Sequence, residues 1–143
     1  MKIAIVRLSA LGDIVHSMVV LQFIKQHYPE SVIDWVVEKR FKDILENNPH
    51  INQIHTINLS KAKRNKSLIL LFAEVSNVRK FGQYDVVIDL QGLIKSAIIT
   101  KFISSRKIVG FDKNSIRERL SSYFYDQKVA IGYDHKNTRI IFL

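Results

Sequence analysis

KIAIVRLSALGD, residues 2–13, is an apolar run rich in β-branched residues that ends in a short turn and a helix start. Lys2 to Leu8 reads as a first strand, and Ser9 to Gly12 as the turn after it. From Asp13 to about Tyr28 the apolar residues Val15, Val19, Phe23 and Ile14, Met18 recur at helical spacing, and Pro29 stops that helix. The alternation then repeats. Val32 to Val37 is a second strand, and Phe41 to Asn47 a short helix closed by Asn48-Pro49. Gln53 to Leu59 is a third strand. Ser67 to Phe81 reads as a helix with Ile69, Phe72, Val75 or Ala73, and Val78 toward the core. Tyr84 to Leu90 is the cleanest strand, Leu93 to Ile103 a helix, Arg106 to Phe111 another strand, and Ser115 to Tyr125 a last helix. Most of these strands are continuously apolar, as strands covered on both faces are. Strand and helix alternate along the chain. The expected fold is α/β: a Rossmann-like, doubly wound parallel sheet.

Length and composition bound the rest. The chain has 143 residues and 47% hydrophobic residues, enough for one domain with one core and too apolar for wholesale disorder. It has no cysteine, which excludes disulfides and thiolate metal sites. Ile3 to Val6 is too short for a signal peptide, and Arg7 and Asp13 prevent its extension. The apolar run Leu68 to Ala73 is six residues, against the roughly 20 that a bilayer helix needs. A cytoplasmic protein is expected. Net charge is +9, from 22 basic and 13 acidic residues, which favours an anionic partner: nucleic acid, an acidic lipid surface or a phosphorylated substrate. Asn137 to Leu143 begins an apolar pattern and stops without a cap, glycine or polar tail. It reads either as a cut within a larger protein or as a short final element on the sheet.

Several signatures are missing. No GxGxxG follows the first strand, and no GxxxxGK[ST], HExxH or GxSxG occurs. The histidines are too scattered for a local zinc site, and no metal or cofactor is expected. The turn after the first strand is the more informative feature. Ligands of open α/β sheets sit outside the carboxyl ends of the strands. Gly12 lets the backbone turn tightly there and approach a ligand. Asp13 comes next, with His16 and Ser17 at i+3 and i+4. Asp13 reads either as an ordinary helix cap or as a working carboxylate. Asp89 to Ser96 (DLQGLIKS) forms a second such turn, where Asp89 would orient a hydroxyl and Lys95 pair with an anion, or both would serve a polar turn alone. Lys61, Lys63, Arg64 and Lys66 form a basic loop with no acid between them, and Arg117 and Arg119 a second basic site. No RRM or KH signature accompanies these charges. Trp35 reads as core.

Four segments in this order, KIAIVRLSALGDIVHS, IDWVVEKRF, YDVVIDLQGLIKSA and RERLSSYFYDQK, resemble the lipopolysaccharide heptosyltransferases of glycosyltransferase family 9. The resemblance spans nearly the whole chain, and DWVVE and DLQGLIKSA are typical of the family's type I branch. It implies a GT-B architecture, with residues 1–143 as the N-terminal acceptor-binding domain and the donor-binding C-terminal domain outside this sequence. It further implies metal-free, inverting transfer of L-glycero-D-manno-heptose from ADP-L-glycero-β-D-manno-heptose to Kdo-lipid A, at the cytoplasmic face of the inner membrane. The family's base is the aspartate of its S-x-x-G-D motif, here Asp13. Acceptor contacts are expected from Gly12, His16, Lys61, Lys63, Arg64, Lys66, Asp89, Gln91, Lys95 and Arg117, with the basic loop also meeting the anionic membrane. Nucleic acid is not an expected partner. The alternatives are a type II or other member of the family, and a non-catalytic basic α/β module for nucleic acid or anionic surfaces.

Overall fold

The computed structural model describes residues 1–111 and 127–129. Its strands are β1 (Lys2–Val6), β2 (Val32–Glu38), β3 (Gln53–Ile57), β4 (Gln83–Asp89), β5 (Ser104–Phe111) and β6 (Gln127–Val129). They form one parallel sheet in the order β3-β2-β1-β4-β5-β6. The helices are α1 (Leu11–Ser17), α2 (Val19–His27), α3 (Leu59–Arg64), α4 (Leu68–Asn77) and α5 (Ile94–Phe102), with 3-10 turns at Lys39–Leu45 and Val78–Phe81.

Successive side chains of a strand point to opposite faces of its sheet, and here both faces are covered. Ile3, Ile5, Ile33, Trp35 and Val37 pack with Ile14, Leu21 and Ile24 of α1 and α2. Ala4, Val6, Val36 and Val87 pack on the other face with Val78 and with Ile99 of α5. The continuous apolar runs thus have the cause expected of them. Trp35 is fully buried, and its indole N–H donates to the Arg7 carbonyl at 3.2 Å.

Four local expectations change. The helix expected from Asp13 to Tyr28 begins at Leu11 and divides at Met18, whose N–H is shared between Ile14 (3.1 Å) and Val15 (3.2 Å) carbonyls. Its stripe Val15, Val19, Phe23 faces outward, while Ile14, Leu21 and Ile24 face the sheet. The basic loop is largely helix α3, because the third strand stops at Ile57. In α4, capped by the Ser67 hydroxyl on the Leu70 N–H at 3.2 Å, Val75 is buried and Val78 just after it is too. Ala73, Ile69 and Phe72, however, are exposed. Phe72 shares a face with Val75 at i, i+3 but lies one turn earlier, where no packed layer reaches. The expected helix over 115–125, Arg117, Arg119 and the segment 137–143 lie outside the described residues. Among the described residues no helix is long and apolar enough to cross a membrane.

Candidate functional site at the carboxyl edge of the sheet

The strand order reverses direction between β1 and β4, and the crevice at such a switch point is where open α/β sheets bind ligands. Both turns singled out by sequence lie there, side by side. Gln91 ties them together. Its side-chain carbonyl accepts from the Leu8 and Ser9 N–H groups at 3.2 and 3.3 Å, and its amide donates to the Ser9 hydroxyl at 3.1 Å.

Asp13 is the third residue of α1. The capping position belongs to Ala10, so Asp13 is not the ordinary cap that spacing allowed. A carboxylate in the first turn is still favoured by the exposed amides and the helix dipole. Its Oδ2 pairs at 2.7 Å with Nη2 of Arg7, whose side chain is 6% exposed against 46% for Asp13. The other end of that guanidinium donates to the Leu90 carbonyl. The arginine is therefore fixed between the two turns, and it fixes one oxygen of a half-exposed carboxylate. Ser17 turns inward and donates to the Asp13 carbonyl at 2.7 Å. His16 is exposed on α1. Gly12 is the second residue of that helix rather than part of a tight turn, and the space where a Cβ would stand is open. In the second turn Gly92 is left-handed, at φ +72°.

Asp89 is buried, and its carboxylate is used internally. Oδ1 accepts from the Gln91 and Gly92 N–H groups at 2.9 and 3.3 Å, and Oδ2 accepts from the Ser96 hydroxyl at 3.0 Å. Asp89 and Gln91 thus build the turn that sets the start of α5. Lys95, at that start, extends instead toward Glu38, Nζ to Oε1 3.5 Å.

Glu38 ends β2 and its side chain is 5% exposed; it holds Arg40 at 3.1 Å as well as Lys95. These three line a cavity of about 500 Å³ together with Lys63, Lys66 and Leu71. The Glu38 N–H donates to the Leu8 carbonyl at 3.1 Å, so this cavity adjoins the Asp13 turn. Three of the expected basic residues, Lys63, Lys66 and Lys95, therefore meet at one place. Arg64 is exposed and does not line the cavity, Lys61 belongs to α3, and Arg117 lies outside the described residues. Sequence reasoning missed Glu38 and Arg40 as functional residues. The signal was the carboxylate closing an apolar strand (VIDWVVE), the same placement that singles out Asp89. Four cations around one carboxylate suit an anionic ligand with hydroxyls. Among the described residues, no group of three or more His, Cys, Asp or Glu could hold a metal ion.

Residues 77–142 match the family described as glycosyltransferase family 9 (heptosyltransferase). The chain is 48% identical over 135 residues to lipopolysaccharide heptosyltransferase 1 of Campylobacter coli, covering 94% of the chain and 37% of that relative. It is 32% identical over 139 residues to lipopolysaccharide heptosyltransferase 1 of Pseudomonas aeruginosa, covering 93% of the chain and 38% of that relative. Among solved structures, the Escherichia coli heptosyltransferase WaaC with ADP superposes with a TM-score of 0.83 at 30% identity, over 93% of this chain and 42% of that one. The same enzyme with ADP-2-deoxy-2-fluoro heptose gives a TM-score of 0.85 at 29% identity, over 96% and 45%. The chain spans about two fifths of the length of the curated relatives it matches.

Proposed function

The chain belongs to glycosyltransferase family 9, the heptosyltransferases, and from that premise we propose that it is the acceptor-binding N-terminal portion of a lipopolysaccharide heptosyltransferase of type 1. The observation that carries this reading is the 48% identity with the Campylobacter coli enzyme over 94% of the chain. The parent enzyme transfers L-glycero-D-manno-heptose from ADP-heptose to Kdo-lipid A in inner-core lipopolysaccharide synthesis, working on the cytoplasmic face of the inner membrane.

Asp13 is the proposed general base. Arg7 occupies its Oδ2, which leaves Oδ1 to accept the proton of the acceptor hydroxyl. The deprotonated oxygen bonds to the anomeric carbon of the heptose, and ADP departs from the opposite face with the bonding electron pair. That order inverts the anomeric centre. The transition state carries positive charge on the sugar ring, as in glycoside hydrolysis, and an ionised carboxylate beside it is stabilising. No metal takes part in this scheme. Lys63, Lys66, Lys95 and Arg40 receive the acidic sugar and phosphate groups of the acceptor, with Glu38 holding Arg40 and Lys95 in place. The donor binds mainly to a second domain.

The test is a transfer assay on a full-length protein carrying this domain, with ADP-heptose and Kdo-lipid A supplied. Heptosylated Kdo-lipid A, detected by mass spectrometry, is the expected product. Activity only on an acceptor that already bears one heptose would move the assignment to the type II enzymes. Inactivity on both acceptors would reject the heptosyltransferase reading.

A further inference from the structure

Among the described residues, the apolar start of α4 is more exposed than the outward stripe Val15, Val19 and Phe23, and Ile69 and Phe72 serve neither the core nor the cavity. Leu68 is 72% exposed, Ile69 82% and Phe72 68%. Isolated exposed apolar residues are ordinary, but three large ones on two turns of one helix form a contiguous patch. The residues before it are cationic, and the acid that follows it in α4, Glu74, accepts from the Asn58 N–H at 3.0 Å. Lys63, Arg64 and Lys66 are exposed immediately before it. No acid stands between Leu59 and Ala73, a stretch holding four lysines and arginines. The patch is also continuous with the cavity, because Leu68 and Leu71 form its apolar wall beside Lys63 and Lys66.

We propose that the first two turns of α4 and the cations before them dock this protein on an anionic lipid bilayer. Leu68, Ile69 and Phe72 sit among the acyl-chain boundary atoms, and Lys63, Arg64 and Lys66 meet the headgroups. An apolar face edged by lysine and arginine is the pattern of a helix lying in a membrane interface. A protein partner for the same patch would need acids opposite these cations, and a second copy would bring like charges together. A lipid surface supplies negative charge and an apolar layer at once. The choice of a lipid rather than another anionic apolar partner rests on the proposed function, whose acceptor is itself a lipid. Docking at this place would put the mouth of the cavity at the level of the headgroups from which such an acceptor projects.

Flotation with vesicles of phosphatidylethanolamine and phosphatidylglycerol (3:1), and with neutral phosphatidylcholine vesicles, tests the proposal on the 143-residue chain. Binding is expected to the anionic vesicles only. Each lysine or arginine near an anionic surface contributes about fivefold in affinity, so Lys63→Gln/Arg64→Gln/Lys66→Gln should weaken binding on the order of a hundredfold at low salt. Ile69→Ser/Phe72→Ser should weaken it at least ~10-fold and abolish what persists at high salt. Both sets change exposed side chains, and unchanged circular dichroism verifies folding. In Phe72→Trp, brominated acyl chains should quench the new indole while buried Trp35 stays bright. Failure to quench the indole introduced by Phe72→Trp, or full binding by the Ile69→Ser/Phe72→Ser protein, would overturn the proposal. So would a dimer, seen by light scattering, that this double variant dissolves while vesicle binding is absent. Transfer activity reads out separately: vesicle docking without heptosyl transfer rejects the transferase reading and keeps this one, and transfer without docking does the reverse.

Discussion

Asp13 and Asp89 look alike in the sequence, each a carboxylate near a glycine just past an apolar strand, and their surroundings divide their roles. Asp13 has a half-exposed side chain and pairs with Arg7. Asp89 is 1% exposed and holds two backbone amides and the Ser96 hydroxyl. Opposite outcomes are expected on mutation. In the full-length enzyme, Asp13→Asn should lower turnover by roughly 10²–10⁴, the usual contribution of a general base. An amide oxygen can still accept from Arg7, and the pair is partly solvated, so stability should change by no more than about 1 kcal/mol. Asp89→Ala should do the reverse. It leaves buried donors without their acceptor, at about 2–4 kcal/mol in urea unfolding, while the fraction that remains folded keeps its acceptor affinity. Near-normal turnover in Asp13→Asn would remove Asp13 from catalysis. Undiminished stability in Asp89→Ala would return Asp89 to the ligand-binding residues. The sequence marks both positions. It does not separate them, because the difference lies in which amides the next turn presents to each carboxylate.

The elements around the cavity show what is readable along the chain and what is not. The strands are legible because a parallel strand buried on both faces must be apolar throughout, and VIDWVV and YDVVIDL have no other economical reading. The charged segment from Lys61 to Lys66 reads as a loop, since charge without apolar periodicity carries no helix signal. It folds as α3 because short segments take their conformation from the elements they connect. The outward stripe Val15, Val19, Phe23 and the overhanging Phe72 mark a further limit: periodicity gives the face of a helix, not the extent of the layer beneath it. Glu38 is hidden for a different reason. A buried carboxylate matters through Arg40 and Lys95, and Lys95 is 57 positions away (95 − 38). At this scale the expected result concerns three cations on two separate segments. The triple substitution Lys63→Gln/Lys66→Gln/Lys95→Gln should weaken calorimetric binding of a soluble, deacylated acceptor analogue by about tenfold or more at low salt, and flatten its salt dependence. Affinity unchanged at low salt would take the cavity out of acceptor binding.

Across the whole domain, buried polar groups stabilise both edges of the sheet, Asp89 at the carboxyl edge and a second cluster opposite it, while the candidate site lies at the carboxyl edge alone. The carboxyl edge carries Asp13, Glu38 and the cations. Toward the amino edge lies a buried cluster built on Asp34, which is fully buried and accepts from the Tyr84 hydroxyl at 2.6 Å, the Asn52 amide at 3.1 Å and the Gln53 N–H at 3.2 Å. The His55 ring lies 3.3 Å from the same carboxylate and stacks on Phe81 at 4.4 Å between centroids. Asp34, His55 and Tyr84 come from β2, β3 and β4, so the cluster joins strands that do not all touch one another. Its consequence is a pH dependence of the fold. Burial, and then the hydrogen bond to Asp34 and its charge, push the Tyr84 phenol far above its ordinary value. In the unfolded chain that phenol ionises near pH ~10, whereas in the folded chain it keeps its proton. A folded pKa raised above the unfolded one gives stability that is complete below the unfolded pKa and is lost as pH rises beyond it. Wild-type stability should therefore fall above pH ~10, with Tyr84 contributing close to ~1.4 kcal/mol per pH unit there. Tyr84→Phe should cost about 1.5–3 kcal/mol at neutral pH, because a hydrogen bond to a buried carboxylate is gone. Above pH ~10 it should lose stability less steeply than wild type, so that the two urea midpoints converge. The two proteins differ only by the Tyr84 hydroxyl, so the difference between the two curves isolates it. Curves that stay parallel from about pH 8 to about pH 11, spanning the ordinary phenol range, would mean that the Tyr84 proton is not what couples this edge of the sheet to pH.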